Sequence, residues 1–254
     1  MDVAFEGRVA LVTGGSRGIG RATCRRFAEA GARVVVHFRA DRTAAEATLA
    51  ELPGDGHLAL AADLADPVAV DDLVSDVVAA CGRLDVVVNN AGIYEDHPVT
   101  GTDYAAWQAA WQRTLGTNLI GPANLIHRAV PHLIAAGGGR IVNVSSRGAF
   151  RGEPGHTAYG AAKAGLNSLG QSLAQELAPH GIFVTTVAPG FVETDMTEDH
   201  LAGARGAAIR AQSPLGRAAD PDEIARTIVF LATPGTEYAT GAIVDVNGAS
   251  YLRN

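Results

Sequence analysis

The chain has 254 residues, of which 47% are hydrophobic, so one large α/β domain with a sizeable core is the simplest reading. A formal net charge of −7 argues against a general nucleic-acid binder, and no polybasic run marks a membrane surface. No stretch approaches the roughly eighteen apolar residues that a membrane span needs. The first residues, Met1 to Arg8, carry two acids and no apolar signal core, so a cytoplasmic location is expected. Cys24 and Cys81 match no metal or redox spacing and read as small buried apolar residues. The eight histidines show no ligand spacing, so no metal site is expected.

In chain order, Arg8 to Thr13 is a short apolar strand that runs into a glycine-rich turn. A helix follows from about Gly18 to Ala30, then a strand over 34–38. Thr43 to Leu52 reads as a helix, Leu58 to Ala62 as a third strand, and Pro67 to Ala80 as a helix with proline in its first turn. Leu84 to Val88 is the fourth strand. A long helical region starts at Asp103, with Pro122 and Pro131 as expected interruptions. The fifth strand covers 141–144, and the helix carrying Tyr159 and Lys163 runs to about Ala178. Phe183 to Val187 is the sixth strand, 204–211 and 221–232 read as helices, and 242–246 is the last strand. Strands alternating with helices over the whole length imply an α/β fold, a parallel sheet covered on both faces. No linker or repeat divides residues 1–254, so one domain is expected.

Chemistry concentrates in a few places. Tyr159 and Lys163 are four apart on a helix, which puts their Cβ atoms roughly 6 Å apart on one face. An ammonium there is expected to lower the phenol from its ordinary value of about 10. A phenol so tuned exchanges a proton with a carbonyl or alcohol oxygen. Ser146 ends the run from Gly139 that contains the fifth strand, thirteen residues before the tyrosine.

Gly14, Gly15, Ser16, Arg17, Gly18, Ile19 and Gly20 lie between the first strand and the first helix. Glycines allow a tight turn and close approach, and the helix N-terminus offers amides to a pyrophosphate. The spacing, G-x3-G-x-G, departs from G-x-G-x-x-G, and a purely structural turn is the alternative. The second strand ends His37, Phe38, Arg39, with no acid before Asp41. Arg17 and Arg39 suit a ribose 2′-phosphate, so NADP(H) is expected over NAD(H). Recognition by Asp41, with Arg39 an ordinary surface residue, is the alternative. Asp63 and Leu64 follow the third strand, and Asn89, Asn90, Ala91 and Gly92 follow the fourth, at strand ends where such sheets bind ligands. Asp63 reads as an adenine contact or as a helix N-cap.

In this order and spacing, the run Thr13 to Gly20, Asn89 to Gly92, Asn118, Ser146, Tyr159, Lys163, and Pro189 and Gly190 followed by Thr194 resemble the short-chain dehydrogenase/reductase family over essentially the entire chain. The resemblance implies an extended Rossmann fold with a seven-stranded parallel sheet, a homotetramer or homodimer, and hydride transfer between a nicotinamide and a carbonyl carbon. It implies Tyr159 as acid/base, Lys163 as ribose ligand, Ser146 as holder of the substrate oxygen and Asn118 as holder of a relay water. Asn118 as a helix-kink residue is the alternative. Ser145 competes with Ser146, and since neighbouring strand residues face opposite ways, the family spacing selects Ser146. Pro189, Gly190, Val192 and Thr194 would close over the nicotinamide, and about 190–215 would form the substrate segment.

The runs from Pro189 to Met196 and from Gly241 to Gly248 are similar to the 3-oxoacyl-(acyl-carrier-protein) reductase subgroup. Its basic carrier-docking residues are missing from 135–139 and 178–181, although Arg147 and Arg151 lie nearby as substitutes. A small-molecule ketone is therefore favoured as substrate and a carrier-bound chain is the runner-up. Phe150, Arg151, Phe191 and Met196 are expected at the cleft. A cofactor-sensing or scaffold protein without catalysis is the non-enzymatic alternative.

Overall fold

A computed structural model describes residues 4–253, so the reading of Met1 to Val3 as signal-free lies outside the described residues, as does Asn254. Seven strands form one sheet: β1 (Val9–Val12), β2 (Arg33–Phe38), β3 (Leu58–Ala61), β4 (Val86–Asn89), β5 (Gly139–Val144), β6 (Ile182–Pro189) and β7 (Ile243–Val246). Their order is β3-β2-β1-β4-β5-β6-β7, and every pair is parallel. The order reverses between β1 and β4. The carboxyl ends of those two strands therefore frame the crevice in which open α/β sheets bind ligands.

Period two divides the strand residues between two cores. Ala10, Val12, Val34 and Val36 face one side, packed with α1 (Gly18–Glu29), α2 (Arg42–Glu51) and α10 (Pro221–Leu231). Val9, Leu11, Val35 and Val87 face the other, packed with α3 (Pro67–Cys81), α5 (Gly121–Ala135) and α7 (Thr157–Leu177). On α7, Leu177 is buried in that second core, Leu169 and Leu173 pack against it, and Leu166 is also buried. The leucine stripe is therefore core-facing. Two glycines let α7 lie low. A Cβ on Gly165 would meet Leu119 at 2.9 Å, and one on Gly170 would meet Asn143 and Thr186 of the sheet at 3.0 Å.

The long region after Asp103 breaks differently from expectation. The helix α4 (Tyr104–Leu115) passes through a π turn, Gly116–Ile120, into α5. Pro122 sits in the first turn of α5, and Pro131 lies inside that helix without ending it. Pro131 is on an exposed face, as is His127, whose carbonyl loses its helical donor, so water can take its place. Pro122 explains the π turn. It has no N–H for the carbonyl four residues earlier, that of Asn118, so the α ladder fails there.

Two short helices were not expected, α6 (Gly148–Arg151) and α8 (Glu198–Leu201), the latter just before α9 (Gly203–Arg210). Among the described residues no helix is long and apolar enough to cross a membrane.

Candidate active site

Aspartates cap α2, α3, α4 and α10: the carboxylates of Asp41, Asp66, Asp103 and Asp220 accept first-turn N–H groups. Helix α1 differs. Its N-cap is Arg17, with no side-chain cap and no acid in the first turn. Its amides and dipole stay free for an anion. The preceding loop is drawn tight. Gly14 has φ +64°, and a Cβ there would lie 3.0 Å from Ala91 Cα. A Cβ on Gly20 would lie 2.0 Å from the Gly14 carbonyl oxygen. The Thr13 hydroxyl donates to the Val88 carbonyl at 3.1 Å and accepts from the amides of Asn90 (2.9 Å) and Ala91 (3.0 Å). The Asn90 side chain donates to the carbonyls of Thr13 and Gly14 at 2.8 and 3.2 Å. A glycine cradle against an uncapped helix fits a dinucleotide pyrophosphate, with Gly92 and Ala91 as its far wall.

His37 ties this loop to β2. Its Nδ1 accepts from Gly14 N at 3.1 Å, and its Nε2 donates to the Ala62 carbonyl at 3.0 Å. The ring is buried, and burial pulls its pKa down to about 4, so it is neutral. Gly15 N also donates to the His37 carbonyl at 2.8 Å. The loop carrying Arg17 and the strand end carrying Arg39 are thus neighbours, and both arginines are exposed. Arg17 pairs loosely with Asp195 at 3.6 Å. Asp41 is occupied as the α2 cap, accepting from Ala44 N at 3.0 Å. The α3 cap is Asp66 rather than Asp63, so Asp63 is not the N-cap that the sequence offered as its alternative role. Asp63 is exposed and accepts only from Ala65 N at 3.0 Å, beside the buried Leu64. Ser16 is buried, its carbonyl held by Arg21 and Thr48, and Ile19 packs against the core.

The proton-handling residues meet at the ends of β4 and β5. Lys163 is buried, and its Nζ donates to the Val144 carbonyl at 2.7 Å. Burial pulls it down to about 8. Tyr159 departs from the sequence expectation. Burial pushes its phenol up to about 12, the Ser146 hydroxyl hydrogen bond works against that, and the Glu153 carboxylate adds to it. The ammonium lies 5.7 Å from the ring centroid and donates one N–H to Val144, and burial rather than the lowering that helical spacing suggested dominates the phenol. Ser146 is half-buried, and its Oγ accepts from Gly148 N at 3.0 Å. Ser145 is buried and turned away, with its hydroxyl on the Lys163 carbonyl. Asn118 is fully buried in the π turn. Its side chain accepts from Ile93 N at 2.8 Å and donates to the Ile93 carbonyl at 2.9 Å. Gly92 lies between: a Cβ there would be 3.3 Å from Asn118 Oδ1 and 3.6 Å from Lys163 Nζ.

The segment after β6 crosses toward the glycine loop. Gly190 packs on Asn247, Val192 is buried and bridges Ala219, and the Thr194 methyl would lie 3.0 Å from a Cβ on Gly18. Phe191 packs against the small core of Leu201, Ile209 and Ala218. Phe150 is half-buried under the Arg253 guanidinium and Met196 is exposed. Arg147 does not serve as a docking cation. It is 3% exposed, donates to Gln212 Oε1 at 2.7 Å and lies over the Phe191 ring. Arg151, which is exposed, reaches the same Gln212 oxygen at 3.1 Å. Arg140 is paired with Glu237.

Sequence reasoning passed over His37 and the wall around Tyr159. Tyr94 stacks on His156 with centroids 3.7 Å apart and meets Tyr159 edge-on at 4.8 Å, and His200 lies 5.2 Å from Tyr94. The signals were His37 in an otherwise apolar strand end, and Tyr94 and His156 flanking two of the quoted motifs.

A family model described as Enoyl-(Acyl carrier protein) reductase matches residues 14–249. The chain is 40% identical over 245 residues to the 3-oxoacyl-(acyl-carrier-protein) reductase FabG of Staphylococcus aureus, covering 96% of this chain and 98% of that one. A dehydrogenase/reductase from Sinorhizobium meliloti 1021 superposes with a TM-score of 0.90 at 34% identity, covering 99% of this chain and 98% of that one. A short-chain dehydrogenase from Burkholderia cenocepacia J2315 in complex with NADP gives 0.88 at 35% identity, covering 96% and 98%. With the parallel sheet, the glycine cradle and the Ser146, Tyr159 and Lys163 cluster, these matches place the chain in the short-chain dehydrogenase/reductase family.

Proposed function

We propose that this protein reduces a small-molecule ketone to a secondary alcohol, with Tyr159 as the proton donor. It is an oxidoreductase of the C=O/CH–OH couple that uses NADP(H). The observation that carries the reading is the Ser146 hydroxyl beside the protonated phenol of the half-buried Tyr159, one helical turn from Lys163 and at the same sheet crevice as the uncapped α1.

Bound NADPH supplies the hydride. Gly14 to Gly20 and the amides of α1 hold the pyrophosphate, with Arg17 and Arg39 on the 2′-phosphate. Asp63 and Leu64 border the adenine, Asn90 to Gly92 the ribose side, and Pro189, Gly190, Val192 and Thr194 the nicotinamide. Ser146 donates to the substrate oxygen, where negative charge develops. Tyr159 holds its proton throughout the neutral range, which suits an acid in the reducing direction. Lys163 uses one N–H on Val144 and keeps the others for a ribose hydroxyl. The Asn118 side chain is committed to Ile93, so its backbone carbonyl, deprived of an α-helical donor by Pro122, is the group left to hold a relay water.

The relatives named as carrier-protein reductases support a second reading, a 3-oxoacyl chain on an acidic carrier. Arg140 paired with Glu237 and Arg147 buried beneath Gln212 are not free for such a partner, which leaves the exposed Arg151 and Arg205 to meet it. A cytoplasmic homotetramer with 190–215 as the substrate segment completes the proposal. The test is NADPH oxidation with free and carrier-bound acetoacetyl substrates. Tyr159→Phe should abolish turnover while NADPH still binds; a near-wild-type kcat in that variant would reject the assignment.

A further inference from the structure

Glu153 lies near Ser146 and Tyr159 in the loop before α7, and the reductase mechanism gives it no part. Its side chain is 16% exposed, so it is folded inward rather than out into solvent. Gly148 makes this possible: a Cβ there would meet Glu153 Cγ at 2.9 Å. The same point lies 3.3 Å from Ser146 Oγ and 3.6 Å from Glu153 Oε1, so the carboxylate and the catalytic hydroxyl flank one small space. Among the described residues neither Glu153 oxygen has a donor within hydrogen-bond range, and the nearest cation, Arg147 Nε, stands 3.9 Å away. The charge reaches Tyr94 and Tyr159, both of which it helps hold protonated.

Both carboxylate oxygens still touch solvent, so a ligand that displaces solvent from them must itself supply a hydrogen-bond donor. The Arg147 guanidinium offsets part of the charge but leaves the lone pairs free, so a neutral donor suffices. Resting on the reductase reading, we propose that the substrate is a hydroxyketone, whose hydroxyl on the carbon beside the carbonyl donates to Glu153 while the carbonyl oxygen accepts from Ser146. The ring edges of Tyr94 and His200 close that side of the site. A 3-oxoacyl thioester has no donor on the carbon beside the ketone and presents a second acceptor one carbon further on, which a carboxylate repels.

The test compares kcat/KM with NADPH for 1-hydroxybutan-2-one, butan-2-one and the N-acetylcysteamine thioester of acetoacetate. The wild-type protein should prefer the hydroxyketone over both others. Glu153→Ala should reduce the ratio of hydroxyketone to plain ketone by roughly tenfold to a hundredfold, the worth of a charge-assisted hydrogen bond. Glu153→Gln, which keeps an acceptor and the size, should fall between. A wild-type preference for the plain ketone or the thioester would overturn the proposal without any variant. So would a ratio that does not move in Glu153→Ala while NADPH affinity is normal. Turnover of the thioester alone would leave the reductase reading standing and sink the hydroxyketone. NADPH binding with turnover of none of the three would sink both.

Discussion

Replacing Gly20 by alanine sets two effects of opposite sign against each other. Gly20 lies in α1 with an ordinary helical backbone, so helix propensity alone favours alanine by about 1 kcal/mol. The added methyl, however, would sit 2.0 Å from the Gly14 oxygen, 2.7 Å from the Gly14 carbonyl carbon and 2.6 Å from Asn90 Nδ2. Two of these atoms are backbone, so a rotamer change gives no relief. The loop must retreat from the helix by about 1.5 Å to restore ordinary contact. That movement strains the bonds from Gly14 N to His37, from Gly15 N to the His37 carbonyl and from Asn90 to the Gly14 carbonyl. Overpacking costs about 1–3 kcal/mol, and the three hydrogen bonds, weakened rather than lost, add about 2 kcal/mol together. Overlap wins, with a net loss of about 2–4 kcal/mol. Differential scanning calorimetry should show Tm falling by about 5–15 °C. Fluorescence titration should show NADPH binding weakened at least about tenfold, because the displaced loop is the pyrophosphate cradle. An unchanged or raised Tm would mean that propensity prevails and that the close approach is not real.

Lys163, pulled down to about 8 by burial, carries its ammonium below that pH and loses it above. The reductive kcat/KM should be level near pH 7 and fall with an apparent pKa near 8, and Lys163→Arg should move the falling limb out of range; a profile level to pH 10 would contradict this. His37 sits at about 4 when folded, against about 6.5 unfolded, so the unfolded chain binds the extra proton between those values. Its contribution, about 3 kcal/mol, is present above pH 6.5 and is lost as pH falls toward 4. Urea titrations of His37→Gln should show a flatter dependence in that window, and identical slopes would refute the assignment. Arg39→Asp should lower the NADPH-to-NADH ratio of kcat/KM roughly a hundredfold by exchanging a phosphate ligand for a ribose ligand. An unmoved ratio would leave the discrimination to Arg17 alone.

The strands were legible because apolar runs alternate with amphipathic stretches, and the proposed catalytic positions because their spacings are rigid. Tyr159, Lys163 and Ser146 come together as the spacing implied. What spacing does not contain is environment. The i to i+4 rule places Lys163 beside Tyr159 but says nothing of the Val144 carbonyl, which comes from another strand and claims the ammonium. Pro122 and Pro131 look alike in sequence, yet one sits four residues from a carbonyl in the crevice and the other faces solvent. Arg147 looked like a surface cation because Gln212, its partner, is 65 residues away. Glu153 folds inward only because Gly148 lacks a side chain, a tertiary condition with no local mark.

The low seat of α7 has a mechanical consequence. Gly170 rests on Asn143 and Thr186, while Tyr159 lies eleven residues back along the same helix, about 16 Å away. The helix is a stiff rod pressed to the sheet near its middle. A methyl inserted beneath that point acts as a shim: it tips the rod and carries the phenol away from Ser146 without touching either residue. Damage to the chemistry can therefore originate on the floor of the molecule, three turns from any atom that meets the substrate, and be read as a lost reaction rather than a lost fold.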